Sequence, residues 1–405
     1  NWVSGSILLK LAVFISLFVH QFDNKLFNIR YLSFVYSVIF LWAIFLIINF
    51  KRLSNLLKVS SGILIILFFT DTSYIAYFNS FYGEAGTIVF FFLSFGTYLN
   101  LITRDNPSIR HFIYFFVASA GFLTSKAQEL PLLIFMFLVY AGLFVYYKCK
   151  KHRICIIISS LMVTILCGAA YGSLTDRMNQ NNIYQSVFLG VLRGSENPQK
   201  DLEELGVDKK FMVFYGKSFY NRHSGHDPVG EEMQKKFYPK LSPVKILAFY
   251  IKHPVRLWQK IVESAESAYA FEKPGPWNFA KGQYNPNKKI NTFRTNLVNS
   301  YPRVHRNIFI FILFSLVYFI IILRYFIKNK GREIRLLILM LFFILLSGAS
   351  QLILPVIGSG HGDFGKHLFL LNFCYDIMVV IVLVWFVHII SGLIGKNKLL
   401  NLIRK

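Results

Sequence analysis

The chain has 405 residues, of which 55% are hydrophobic, 17% aromatic and only 16% charged, against roughly a quarter charged in an ordinary soluble domain. Its formal net charge of +24 would suit a nucleic-acid binder, but Lys and Arg fall in short clusters between apolar runs, as in loops that flank membrane spans. A soluble fold is excluded, and no nucleic-acid partner is expected.

In chain order, "GSILLKLAVFISLFV" predicts an apolar helix at about 4–20. Lys10 and the polar end "HQFDNK" leave it open whether that helix spans the bilayer or lies in its interface. Spans need roughly 17 to 25 mostly apolar residues. Such runs occur at about 31–49, 58–76, 84–103, 110–126, 129–147, 154–173, 306–325, 335–354 and 368–391, about nine in all. The expected fold class is therefore an all-α polytopic membrane protein.

The basic clusters "KRLSNLLK", "RDNPSIRH", "KCKKHR" and "RYFIKNKGREIR" and the tail "GKNKLLNLIRK" alternate with the other loops. The positive-inside rule puts these five in the cytoplasm. The opposite, extracytoplasmic side then receives the loop from Asp71 to Glu84, the turn "TSKAQEL", the segment at about 174–305 and "SQLILPVIGSGHGDFGKH". With nine spans and a cytoplasmic C-terminus, the helix at 4–20 reads as an external juxtamembrane helix, and a span before Asn1 would restore a cytoplasmic start.

The organisation expected is thus a membrane part at 1–173, an external, mainly helical domain at 174–305 and a second membrane part at 306–405. In the external segment Val244, Leu247, Ile251, Val255, Trp258 and Val262 recur at helical spacing after "SP", a helix-start signal. "EKPGPWNFAKGQYNPNKK" opposes regular structure. Cys149, Cys155, Cys167 and Cys374 lie in or beside apolar runs and form no CxxC pair. Neither a disulfide framework nor a cysteine metal site is expected.

Ionisable groups beside hydrocarbon are the candidates for chemistry. Asp71 can be a site or simply the watery end of a span. Glu84, between Gly83 and Gly86 where the next span begins, can hold a divalent metal (Mg or Mn) or an acceptor, or can merely favour a helix N-terminus. "GSGHGDFGKHLFLLN" places His361, Asp363, Lys366 and His367 among glycines where a loop re-enters lipid. That chemistry suits a lipid-linked phosphate, although Lys and His also snorkel at interfaces. His361 and Asp363 could instead share a metal, without a third ligand at suitable spacing. Lys126 is a lone external cation, a phosphate ligand or a surface ion pair with Glu129. His223, His226 and Asp227 form an HxxHD run in what reads as a flexible loop. No Walker, GxGxxG or GxSxG motif is present.

"SILLKLAVFISLF", then "LSFVYSVIFLWAIFLIINFKRLSNLLKVSSGILIILFF", then "SYIAYFNSFYGEAGTIVFFFLSFGTYL" resembles the order of elements in the GT-C superfamily of membrane glycosyltransferases. That family includes protein O-mannosyltransferases and aminoarabinose transferases, and the nearest kind is the bacterial cell-surface glycan hexose transferases. The resemblance implies an inverting hexosyltransferase of the plasma membrane. It would use a polyprenyl-phosphate sugar donor and a glycan, lipid or protein acceptor. Glu84 falls where the family has its second-loop acid, which helps hold a metal or the acceptor. Lys366 or His367 matches its phosphate-contacting basic residue, with His361 and Lys126 beside them. The family's catalytic Asp precedes the juxtamembrane helix, and no residue of this chain matches it, which implies a general base before residue 1. A transporter or flippase of lipid-linked glycans and a non-catalytic scaffold are the competing readings. The first would call for charges within spans and repeated halves.

Overall fold

The computed structural model describes residues 3–20, 27–220, 227–270, 292–362 and 364–403. Among them the regular elements are helical: α1 (Ser4–Val19), α2 (Arg30–Ile48), α3 (Asn55–Phe69), α4 (Thr72–Ile75), α5 (Gly83–Ile102), α6 (Ile109–Leu123), α7 (Leu133–Tyr146) and α8 (Lys150–Gly172). A polar group follows: α9 (Asp176–Gln185), α10 (Pro198–Glu204), α11 (Glu231–Lys236), α12 (Pro243–Lys252) and α13 (Pro254–Ser267). The chain then runs through α14 (Phe293–Ser300), α15 (Pro302–His305), α16 (Ile308–Lys328), α17 (Arg332–Ser350), α18 (Leu354–Ser359), α19 (Phe364–His367) and α20 (Phe369–Ile403).

Among the described residues, six helices are long and apolar enough to cross a membrane: α2, α5, α8, α16, α17 and α20. The expected unbroken span at 58–76 is corrected, because α3 and α4 meet at a 63° bend. The cause is local. Asp71 takes an extended ψ of 145° and its side chain accepts the Ser73 N–H at 3.0 Å, capping a new helix where the old one would have continued. Counted as one span, the bent pair makes seven; α1, α6 and the helical stretch Leu130–Tyr146 are apolar but shorter.

These helices are apolar on both faces, as hydrocarbon demands. On α2, Leu32, Val35, Tyr36 and Phe40 are buried, while Phe34, Val38, Leu41, Trp42 and Phe45 are between 50% and 64% exposed on the face left to lipid. α5 is the hub: its apolar window is 78% buried, against 22% for α8 and α16. Gly96 lets α2 lie against it, since a Cβ there would sit 2.9 Å from the Ala43 carbonyl oxygen. Gly96→Leu is expected to cost about 1 to 3 kcal/mol by overpacking and to lower the melting temperature in detergent. An unchanged midpoint would mean the two helices do not meet there.

The basic loops gather at one end of the bundle. The Arg332 guanidinium donates to the Arg104 carbonyl at 2.7 Å and pairs with Asp105 at 2.9 Å, and Arg52 pairs with Glu333 at 2.8 Å. Helices α9–α13 sit at the other end, where α12 packs on α18 and α13 on α16, α18 and α19. Gly360, at φ +58°, lies so close to the polar group that a Cβ would fall 2.4 Å from the Gln185 carbonyl oxygen. The "SP" start of α12 is present, with the Ser242 hydroxyl accepting the Lys245 N–H at 3.2 Å. Its buried face, however, is Ile246, Phe249 and Tyr250, whereas Val244, Ile251 and Val255 of the expected stripe are 64% to 75% exposed.

Candidate functional site

At the end of the bundle facing α9–α13, the first turn of α5 meets the turn between α6 and α7. Tyr82 is extended and starts α5 at Gly83. A Cβ on Gly83 would lie 2.5 Å from Lys126 Cγ, so glycine lets the lysine stem cross the helix start. Lys126 then pairs its Nζ with Glu84 Oε1 at 2.8 Å. Glu84 is fully buried, and so is Glu129 on the other side of Lys126. The Thr87 hydroxyl donates to Glu129 Oε1 at 3.1 Å and lies 2.9 Å from Ser125 Oγ. Glu84 Oε2 and Glu129 Oε2 have no hydrogen-bond partner among the described residues. Two buried carboxylates thus bracket one ammonium, and each keeps an unused acceptor oxygen.

The expected surface pair of Lys126 with Glu129 is therefore corrected: Lys126 bonds Glu84, and both acids are buried. Burial opposes the Lys126 charge, but the Glu84 and Glu129 carboxylates hold its ammonium above the ordinary lysine value. Burial pushes the Glu129 carboxyl up to about 7, with Lys126 pulling the other way. Between its ordinary value of 4.5 and about 7 the native chain keeps a proton that the unfolded chain releases. Stability contributed this way falls as pH rises through that window and levels above it. Glu129→Gln, which cannot ionise, is expected to flatten the decline of melting temperature over the same window. An equally steep decline in that variant would place the titration elsewhere.

The turn is tied to the far end of the chain. Gln128 Nε2 donates to Gln351 Oε1 at 2.5 Å and to the His367 carbonyl at 2.6 Å, and His367 Nδ1 lies 3.4 Å from Gln128 Oε1. Lys366, next in line, holds its Nζ 4.1 Å from the centre of the Tyr82 ring and acts electrostatically on Glu84. Among the described residues its ammonium has no hydrogen-bond or ion-pair partner, so its N–H donors are unspent. Glu84, Lys126, Lys366 and His367, far apart in sequence, are thus brought together.

Two other expected members go elsewhere. His361 joins the polar helical group: its Nδ1 is 3.6 Å from Glu263 Oε2 and its ring stacks on Phe364 at 4.7 Å. Burial and Arg193 keep its imidazole below the ordinary value. Asp71 is neither a watery helix end nor a partner of Glu84. It is 2% exposed, accepting the Ser73 hydroxyl at 2.7 Å, the Thr295 hydroxyl at 2.8 Å and the Thr295 N–H at 2.9 Å. Asp363, His223 and His226 lie outside the described residues, and Asp227 accepts the Val229 N–H at 3.1 Å. No three His, Cys, Asp or Glu side chains converge as a metal-ligand set among the described residues. At Glu84, Oε1 is already taken by the Lys126 ammonium.

Beside Asp71 stands a buried network that the sequence reading missed. Asp376 of α20 accepts from Arg294 Nε, from the Tyr74 hydroxyl at 2.5 Å and from the Tyr269 hydroxyl at 2.9 Å. The Arg294 guanidinium also donates to the Ser73 hydroxyl at 2.8 Å and lies over the Tyr74 and Tyr269 rings at 4.5 Å and 5.0 Å. An acid inside the apolar run "LNFCYDIMVV" was the available signal. The rings of Tyr74, Phe369, Tyr77 and Tyr82 form a chain of contacts 5.2 Å to 6.4 Å apart that joins this network to the Lys366 site.

The family described as the YfdI N-terminal transmembrane domain matches residues 1–403. A protein of Escherichia coli strain K12, described as "Uncharacterized protein YfdI", is 22% identical over 390 residues, covering 94% of this chain and 80% of its own length. No solved structure matches the chain.

Proposed function

The chain belongs to the family of YfdI N-terminal transmembrane domains, and we propose that it is a GT-C-type glycosyltransferase. It moves a hexose from a polyprenyl-phosphate donor to an acceptor at the extracytoplasmic face. The observation that carries this reading is the Lys366 ammonium, held over the Tyr82 ring with its donors unspent and in electrostatic reach of Glu84. A phosphate headgroup at the membrane surface satisfies such a cation while its tail stays in lipid. The basic loops at the opposite end fit a cytoplasmic side there, which supports the reading of an extracytoplasmic site.

In this mechanism the acceptor oxygen attacks the anomeric carbon as the bond to phosphate breaks, with inversion. Lys366 and Lys126 stabilise the negative charge that builds on the departing phosphate. Glu84 orients the acceptor hydroxyl through its free Oε2 and draws on its proton. His367, held by Gln128, fixes the Lys366 turn against the 124–129 turn.

The test is the fate of label in membranes supplied with a polyprenyl-phosphate sugar radiolabelled in the hexose. Label leaving the lipid-soluble fraction for a larger acceptor supports transfer. Label that crosses the bilayer yet stays lipid-linked would instead identify a flippase, and label that does neither a scaffold.

A further inference from the structure

The polar helical group carries a cleft of about 350 Å³ between the turn at Arg193–Gly194 and one side of α13. Its walls are fixed. Arg256 Nη1 bonds Asp201 Oδ2 at 2.6 Å, its Nη2 donates to the Val191 carbonyl, and its guanidinium lies 5.1 Å from the centre of the Phe249 ring. Lys260, 6% exposed, holds Glu263 through both carboxylate oxygens at 3.0 Å and 3.1 Å. Each of those cations therefore has its own acid. Arg193 does not: it is exposed and has no partner among the described residues. The Trp258 ring lines the same cleft with 42% of its surface open. His361, against Glu263, has an Nδ1 without a hydrogen-bond partner among the described residues.

This combination selects a ligand class. An aromatic face takes the C–H side of a sugar ring, and a few fixed charged groups take its hydroxyls. One uncompensated guanidinium calls for a phosphate or carboxylate. An apolar lipid would leave Arg193 unsatisfied, and a bare anion would make no use of Trp258. We propose that the cleft is a second binding site, specific for an anionic saccharide.

His361 belongs to the same loop as Lys366 and His367, and Gly360 pins that loop against Gly190, where a Cβ would come within 3.0 Å of the Gly190 Cα. The saccharide is the acceptor if the transferase reading above holds, which is the one point at which this inference rests on it.

Binding is measured on the purified full chain in detergent by calorimetry, with no donor present. The probes are a uronic-acid trisaccharide, a phosphorylated trisaccharide, neutral maltotriose and inorganic pyrophosphate. Saturable binding of either anionic saccharide is expected, and whichever binds names the acidic group. Trp258→Ala and Arg193→Ala, both at exposed positions, should each weaken it at least about tenfold, while Lys366→Ala leaves it unchanged. Pyrophosphate or maltotriose binding as tightly as the anionic saccharides overturns the proposal. So does undiminished binding in both cleft variants, or an equal loss in Lys366→Ala. Because no transfer is read, failure of the transferase reading leaves this result untouched.

Discussion

Glu84→Gln is expected to slow sugar transfer by about 10²- to 10³-fold while the KM for the lipid donor stays within about twofold. The glutamine keeps the shape and can still accept a hydrogen bond from Lys126, but it loses the charge that draws on the acceptor hydroxyl. The split between kcat and KM is what separates a role at the acceptor from a structural one. Glu84 starts the most deeply buried of the apolar spans, so partial misfolding would lower apparent kcat at unchanged KM, and rates are therefore compared per folded protein. The measurement is steady-state transfer at saturating donor, normalised to folded protein. A kcat unchanged in Glu84→Gln would remove Glu84 from the chemistry.

Arg294→Met is expected to cost about 3 to 5 kcal/mol, the usual penalty for stranding one member of a buried ion pair. Asp376 would then lie in apolar surroundings with only the Tyr74 and Tyr269 hydroxyls as donors. The same network holds Tyr269 at φ 55°, a backbone state that an aromatic residue adopts only under constraint. Loss of Arg294 should therefore release the junction between the α9–α13 group and the spans. Melting of the detergent-solubilised protein reads the effect, and Asp376→Leu added to Arg294→Met should restore part of the loss because no charge remains to be stranded. A single variant that melts like the parent chain would show the network to be dispensable.

What the sequence makes legible is the chemistry of hydrocarbon. Runs of Phe, Ile and Leu can be buried only in lipid, so the helical membrane class and most helix positions follow from them, as does the gathering of Arg52, Arg104 and Arg332 at one end. The assembly of Glu84, Lys126, Lys366 and His367 is also foreseeable, because each is a polar group stranded beside lipid on the same side. What stays hidden depends on local competition. The bend at Asp71 comes from a side chain capping the Ser73 N–H, which no hydropathy pattern records. His361 and Lys366 share a loop, yet His361 turns away because Gly360 presses that part of the loop against Gly190. Arg294 gives no periodic signal, since its partners come from residues far along the chain on either side.

If the Lys366 site takes the phosphate of a polyprenyl lipid, as proposed above, the chain binds that lipid without turning it over. Native mass spectrometry of the detergent-released chain, titrated with polyprenyl phosphate and with the uncharged polyprenol, reads it without any turnover. Saturable binding of the phosphate form is expected, with weak binding of the alcohol and at least about tenfold weaker binding in Lys366→Ala, recovered in Lys366→Arg. Equal binding of the alcohol and the phosphate, or full binding in Lys366→Ala, would contradict it.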